Sequence, residues 1–178
     1  MLKKAGLFII VIALLVVSGC SFTHQVNIQK DFVAEAKDLP KISSTGPVSV
    51  VMKAQIPSGS VELCEAGGRT YLADYATISE YALSSAKDVL NRNGIEVNDS
   101  AEKQLTITSL EGTCKTSHFL LQFTMDMTVK TGNGITKEYS GYQNMMHLNQ
   151  RDFALSAAVL NSVLNMIAGD DIQKYLKE

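Results

Sequence analysis

Residues 118–147 read HFLLQFTMDMTVKTGNGITKEYSGYQNMMH, and their alternation decides the fold. Phe119, Leu121, Phe123, Met125, Met127 and Val129 recur at every second position, with mainly polar residues between them. A period of two belongs to a strand with one face in a core and the other toward water. Thr131-Gly132-Asn133-Gly134 then reverses the chain, because Asn and Gly accept the positive φ values of tight hairpins at little cost. Residues 135 to about 147 return as the paired strand. Two registers satisfy this pattern. A two-residue Asn-Gly loop buries Tyr142 and Met146; a three-residue loop buries Ile135, Tyr139 and Met145.

The flanks supply the remaining elements. Residues 104–110, QLTITSL, read as another strand, and residues 48–56, VSVVMKAQI, as a first one between Pro47 and Pro57. Residues 58–73, SGSVELCEAGGRTYLA, read as loop with a short strand at 61–64. A helix follows, with Ile78, Ala82, Ala86 and Val89 on one face and Tyr75 and Leu90 beside them. Thr77-Ile78-Ser79-Glu80 fits a capping box, and Asp74 offers a cap one turn earlier. Gly94 stops this helix. Near the end of the chain Phe153, Ala157, Leu160, Leu164 and Ile167 repeat at helical spacing, with Asn149 or Asp152 as caps and Gly169 as the stop. Asp170 or Asp171 then caps a short helix carrying Ile172, Tyr175 and Leu176. The order strand, helix, three strands, two helices predicts an α+β domain. It is two-layered: a mainly antiparallel sheet of about four strands, with helices packed on one face. The helix between the first two strands permits a right-handed crossover, which allows those two to run parallel.

The amino-terminal end has a different character. Residues 7–17, LFIIVIALLVV, are eleven apolar residues preceded by Lys3 and Lys4. A spanning helix needs roughly 20. A basic start, a short apolar middle and small residues at the end make a secretory signal. Val17-Ser18-Gly19-Cys20 resembles the bacterial lipobox, in which the Cys sulfur receives a diacylglyceryl group and cleavage falls just before it. That resemblance implies a signal peptide over 1–19 and a lipid anchor on Cys20. Ser21 stands where Asp would signal retention at the inner membrane, so the expected address is the outer membrane, periplasmic side. Residues 20–46 then read as a lipidated start and flexible tether, since KDLPKISSTGP at 37–47 is rich in turn formers, although Val26, Ile28 and Phe32 can dock. A single periplasmic domain is expected over 47–178.

Removing residues 1–19 leaves 14 basic residues (16 − 2) against 18 acidic ones. With no basic stripe to neutralise phosphates, nucleic acid is excluded as a partner. Three cysteines are an odd number for an exported protein. Lipidation of Cys20 leaves Cys64 and Cys114 in an oxidising compartment, where they are predicted to form a disulfide. Its loop of about 50 residues corresponds to roughly 4 kcal/mol on the chain-entropy model.

DVLNRNGIEV at 88–97, KEYSGYQ at 137–143 and AAVLNSVLNMIAGDDIQKYLKE at 157–178 together resemble the YajG-type small bacterial lipoproteins. The resemblance covers roughly residues 74–178. It implies an outer-membrane lipoprotein facing the periplasm, with no established enzymatic activity and no catalytic residues to carry over. The Cys64 and Cys114 pair is not a feature it implies.

The residues point to no catalysis of their own. No GxSxG, HExxH or phosphate loop is present. In the two-residue hairpin register His118 and His147 fall on one sheet face near Met145, a soft set that suits copper or zinc. Without a third strong ligand they read as edge histidines, and no metal or other cofactor is predicted. Met125, Met127, Met145 and Met146 read as core rather than as a soft pocket. Asp152, Asp170 and Asp171 read as caps, and Glu65 and Arg69 flank a Gly67-Gly68 loop. The expected function is that of a non-enzymatic, lipid-anchored binding or accessory module of the bacterial envelope. Its partners would be the membrane, through the anchor, and another envelope protein or the cell wall. The alternative is a carrier of a small ligand or lipid in a cavity between sheet and helices.

Overall fold

The computed structural model of the chain describes residues 22–117 and 120–178. Its elements, in order, are β1 (Phe22–Val26), β2 (Val48–Met52), β3 (Ser60–Ala66), β4 (Arg69–Asp74), α1 (Tyr75–Arg92), β5 (Lys103–Ser117), β6 (Leu120–Thr131), β7 (Thr136–Met145), α2 (Arg151–Ala168) and α3 (Asp170–Lys177). Short 3-10 turns lie at Ala36–Asp38 and Leu148–Gln150.

The hairpin closes with the three-residue loop. The Thr131 N–H donates to the Ile135 carbonyl at 2.9 Å, and the Gly134 N–H to the Thr131 carbonyl at 2.9 Å. Gly134 adopts φ +94°, which a side chain would resist. Leu121, Phe123, Met125, Met127 and Val129 are buried on the inner face of β6, and Tyr139, Gly141 and Met145 on that of β7. Tyr142 and Met146 point outward, and Ile135 at the turn stays exposed.

This hairpin belongs to a four-stranded sheet in the order β2-β5-β6-β7. β2 and β5 pair in parallel, as the crossover through α1 allows, while the other pairs are antiparallel. β5 runs well beyond the expected 104–110. Thr108 is an extra residue at a bulge in its pairing with β6. It shifts the side-chain parity, so that Leu105 and Ile107 before it, and Leu110 after it, all face the core. α2 packs its small and apolar face, from Ala154 to Ile167, against β6 and β7.

The α+β class holds, but the expectation of a single sheet is corrected. A second, three-stranded sheet has the order β1-β4-β3, with β1 and β4 parallel and β3 and β4 antiparallel. Both sheets are therefore mixed. The Gly67-Gly68 segment is the tight turn of the β3–β4 hairpin, with φ of +61° and +70°. Positive φ at both central residues is the requirement of a type I′ turn.

The tether expected at 20–46 is also corrected over its described part. β1 lies beside β4, and residues 27–45 are strapped across the helices. The Asn27 N–H donates to Asp152 Oδ1 and the Gln29 N–H to Ser156 Oγ. Tyr81 donates its hydroxyl to the Phe32 carbonyl at 2.6 Å, and Arg92 donates to the Ala34 carbonyl at 2.7 Å. The Phe32 and Phe153 rings meet edge to face at 5.0 Å, and the Thr45 N–H donates to the Leu176 carbonyl. Val26 and Ala34 are buried in the core cluster. The low hydrophobicity of this segment hid its docking, because backbone groups and single side chains do the anchoring. The folded unit therefore begins by Phe22 rather than at 47. The signal peptide expected over 1–19 lies outside the described residues.

Caps differ in the same way. Asp74 caps α1, accepting from the Ala76 N–H at 3.0 Å. α2 starts at Gln150 with no side-chain cap; Asp152 lies inside its first turn, where it accepts from the Asn27 N–H. α3 starts at Gly169, also with no side-chain cap. Asp170 and Asp171 sit in its first turn, where negative charge suits the helix dipole, and Asp171 pairs with Lys137.

Candidate functional site

β7 is an edge strand, and its outer edge is where the surface opens. The pleat that buries Tyr139, Gly141 and Met145 turns Tyr142 outward, 59% exposed. Gly141 lets α2 approach very closely: a Cβ there would stand 2.1 Å from Ser162 N and 2.3 Å from the Ala158 oxygen. That closeness brings two asparagines of α2 against the strand. Asn161 Nδ2 donates to the Tyr142 carbonyl at 3.0 Å, and Asn165 Nδ2 to the Ser140 carbonyl at 2.8 Å. Two edge carbonyls that would otherwise invite another strand are thereby occupied.

Asn161, Leu164, Asn165 and Ala168 follow helical spacing and form one wall of an open groove of about 680 Å³. Tyr142 and Gln143 form the floor, and Asp38 and Pro40 of the strapped segment close the far side. Asp38 is the one charged residue among these. The groove offers an aromatic ring, three carboxamides and an aliphatic side chain. It suits hydrogen bonding to neutral polar groups, with a ring to stack on.

Cys64 and Cys114 are joined as predicted, with a Cα–Cα distance of 5.6 Å. The bond ties β3 to β5 and so links the two sheets. Beyond the end of β2, β5 is covered by β3 and α1 rather than by another ladder. The Gly112 N–H donates to the Tyr75 hydroxyl at 2.9 Å, and a Cβ at Gly112 would stand 1.9 Å from Leu63 Cδ1. Burial pushes the Tyr75 phenol above its ordinary range, opposed by the Gly112 hydrogen bond.

The remaining expected residues, and the third histidine, His24, are scattered. Cys20, Ser21 and His118 lie outside the described residues. His147 is exposed at the end of β7, while Met145 is buried, and the three-residue hairpin loop removes the register in which His118 and His147 were paired. His24 is part of β1, its ring stacked on Tyr71 at 5.7 Å and its Nε2 buried without a partner among the described residues. Met125 and Met127 are fully buried in the core, with Phe123, Leu155 and Met166. Glu65 and Arg69 flank the β3–β4 turn. Among the described residues no three His, Cys, Asp or Glu side chains gather as metal ligands would.

No family model and no curated protein sequence matches the chain. Among solved structures it is similar to a Xanthomonas campestris protein of the family described as DUF330, with TM-score 0.46 and 14% identity over 88% of this chain and 95% of that one. It is also similar to a Helicobacter pylori protein described as a neuraminyllactose-binding hemagglutinin homolog, with TM-score 0.41 and 5% identity over 83% and 97% of the two chains. Likenesses at this level leave family and function to be argued from the chain itself.

Proposed function

We propose that this chain is a lipid-anchored bacterial envelope protein, held at the outer membrane through Cys20, that works by binding a partner on the periplasmic side. The signal-like residues 1–19, the lipobox resemblance at 17–20 and Ser21 support the address. The observation that carries the binding role is the groove at the β7 edge, where Tyr142 stands exposed among Gln143, Asn161 and Asn165. Its occupant is an extended polypeptide segment of another envelope protein. Carboxamides match the donors and acceptors of a peptide backbone, and Tyr142 supplies a contact for one side chain. The partner is held by side chains rather than by strand addition, because Asn161 and Asn165 already hold the β7 carbonyls. The apolar face of α3 is not available for this purpose, since Ile172, Tyr175 and Leu176 are buried. A carrier role finds no support in the core, where Met125, Met127 and Met145 are buried, while Met146, expected in the core, is instead exposed.

The test is photo-crosslinking in cells. A photoreactive residue at position 142 of the full-length chain is expected to give a discrete protein adduct, and one at Val33 is not. Metabolic labelling with a fatty-acid analogue is expected to mark the same chain and to be lost in Cys20→Ala. Equal adducts from both positions, or none, refute the groove; adducts with wall fragments instead of protein replace the polypeptide with glycan; persistent labelling of Cys20→Ala refutes the anchor.

A further inference from the structure

Six chain segments converge on one end of the domain: the starts of β1, β4 and β6 and the ends of β3, β5 and β7. Phe22 pairs with Arg69, and Arg69 borders a small cavity of about 180 Å³ together with Gly67, Leu120, Met146 and His147. Thr116 near the end of β5 lies 3.3 Å from where a Gly67 Cβ would be. Three large apolar side chains are left to solvent here: Phe22 at 62%, Met146 at 70% and Leu120 at 38%. Arg69 lines the same cavity, and Lys115 lies two residues before the end of β5.

We propose that this end of the domain rests in the headgroup layer of the membrane that holds the protein. The inference rests on the reading of Cys20 as the lipidated residue. Only Ser21 separates Cys20 from Phe22. At about 3.5 Å per residue the Phe22 Cα lies within about 7 Å of the Cys20 Cα. Phe22 is not on a tether. It is the first residue of β1, whose five residues pair in register with β4 and end on the buried Val26. Acyl chains on Cys20 therefore bring the Phe22 end to the bilayer with no slack. Apolar side chains in such a position sit about 5–10 Å into the headgroup and acyl boundary, and cations beside them favour anionic lipid. β6 is 12 residues long, so at about 3.4 Å each the hairpin tip at Gly132–Gly134 stands roughly 40 Å away from that surface.

The chain contains no Trp, so an introduced one reports alone. The full-length lipidated Met146→Trp and Ile135→Trp variants would be reconstituted in phosphatidylethanolamine–phosphatidylglycerol vesicles, with and without brominated acyl chains. Both substitutions are at exposed positions, and flotation and intact mass establish anchoring and acylation in the same samples. The Met146→Trp emission is expected to shift to the blue and to be quenched by bromolipid, while that of Ile135→Trp is unaffected. Floated, acylated protein with equal or no quenching at the two positions overturns the orientation and leaves the anchor standing. A blue shift without bromolipid quenching, accompanied by a crosslinked dimer, overturns it in favour of a second copy of this chain. Protein that is neither acylated nor floated overturns the anchor and the orientation together.

Discussion

Gly141→Ala tests the packing on which the groove depends. The added methyl would stand 2.1 Å from Ser162 N, 2.3 Å from the Ala158 oxygen and 2.6 Å from the Asn161 carbonyl carbon. All three are backbone atoms of α2, so no side-chain rotation relieves the contact. Restoring an ordinary separation of about 3.5 Å moves the helix by about 1 Å or more. That helix buries Leu155, Val159, Val163, Met166 and Ile167, and the shift stretches the Asn161 and Asn165 bonds to β7. Overpacking of this kind costs about 1–3 kcal/mol, and a rigid backbone neighbour places it at the upper end. Relief of glycine's conformational entropy in a strand returns about 0.5–1 kcal/mol. The expected net loss is about 2 kcal/mol, or roughly 4–8 °C in Tm for a chain of this size. Urea unfolding followed by far-ultraviolet circular dichroism measures it. Gly46→Ala is the control, since nothing lies within 4 Å of its Cβ position. A Gly141→Ala variant within about 0.5 kcal/mol of the parent, the range of ordinary surface changes, refutes the close approach of α2 to β7.

Replacing both Cys64 and Cys114 with Ala opens a loop of 50 residues and is expected to lower unfolding stability by roughly 4 kcal/mol; a loss below about 1 kcal/mol in non-reducing urea titrations counts against the bond as a stabiliser. The Tyr81 phenol is pushed up to about 12, chiefly by burial, from an ordinary value of 10.0. A raised folded value means stability that is complete below pH 10 and lost as pH rises toward 12. Tyr81→Phe is expected to remove that alkaline step and to cost about 1–2 kcal/mol at neutral pH, because the Phe32 carbonyl loses its donor. Phenolate absorbance alongside alkaline unfolding curves checks it, and an unchanged step in the variant refutes the assignment.

The long hairpin and the helices were legible because each has a strong period: two along 119–129, and three to four along 153–167. The register was not, since Asn133-Gly134 fits loops of either length; the Thr131 hydroxyl, bonded to the Ile135 carbonyl and to Asn133, favours the longer one. The second sheet is not legible in the sequence for a local reason. The pairing of β3 with β4 shifts between Glu62 and Cys64, and that irregularity breaks the alternation by which a strand is recognised. β1 hides because Val26 is its single buried residue among five. The disulfide was legible from counting cysteines, without knowledge of either sheet. The groove was not legible at all. Asn161 and Asn165 read as the wet side of a helix, and only a strand packed against Gly141 gives them carbonyls to hold.

The strap over residues 27–45 sets an order of events. Asn27 and Gln29 bond to Asp152 and Ser156, which follow them by 125 and 127 positions, and Thr45 bonds to Leu176 near the other end of the chain. An emerging polypeptide presents residues 27–45 early; Tyr81 and Arg92 of α1 reach Phe32 and Ala34 midway, yet the partners at the two ends of the strap arrive last. Closure of loops this long waits for the intervening structure to form and is slow. β1, beside Cys20, has its partner in β4, but the strap is fastened at both ends only when α2 and α3 are in place. A fastened strap over residues 27–45 therefore reports that both carboxy-terminal helices have reached their places.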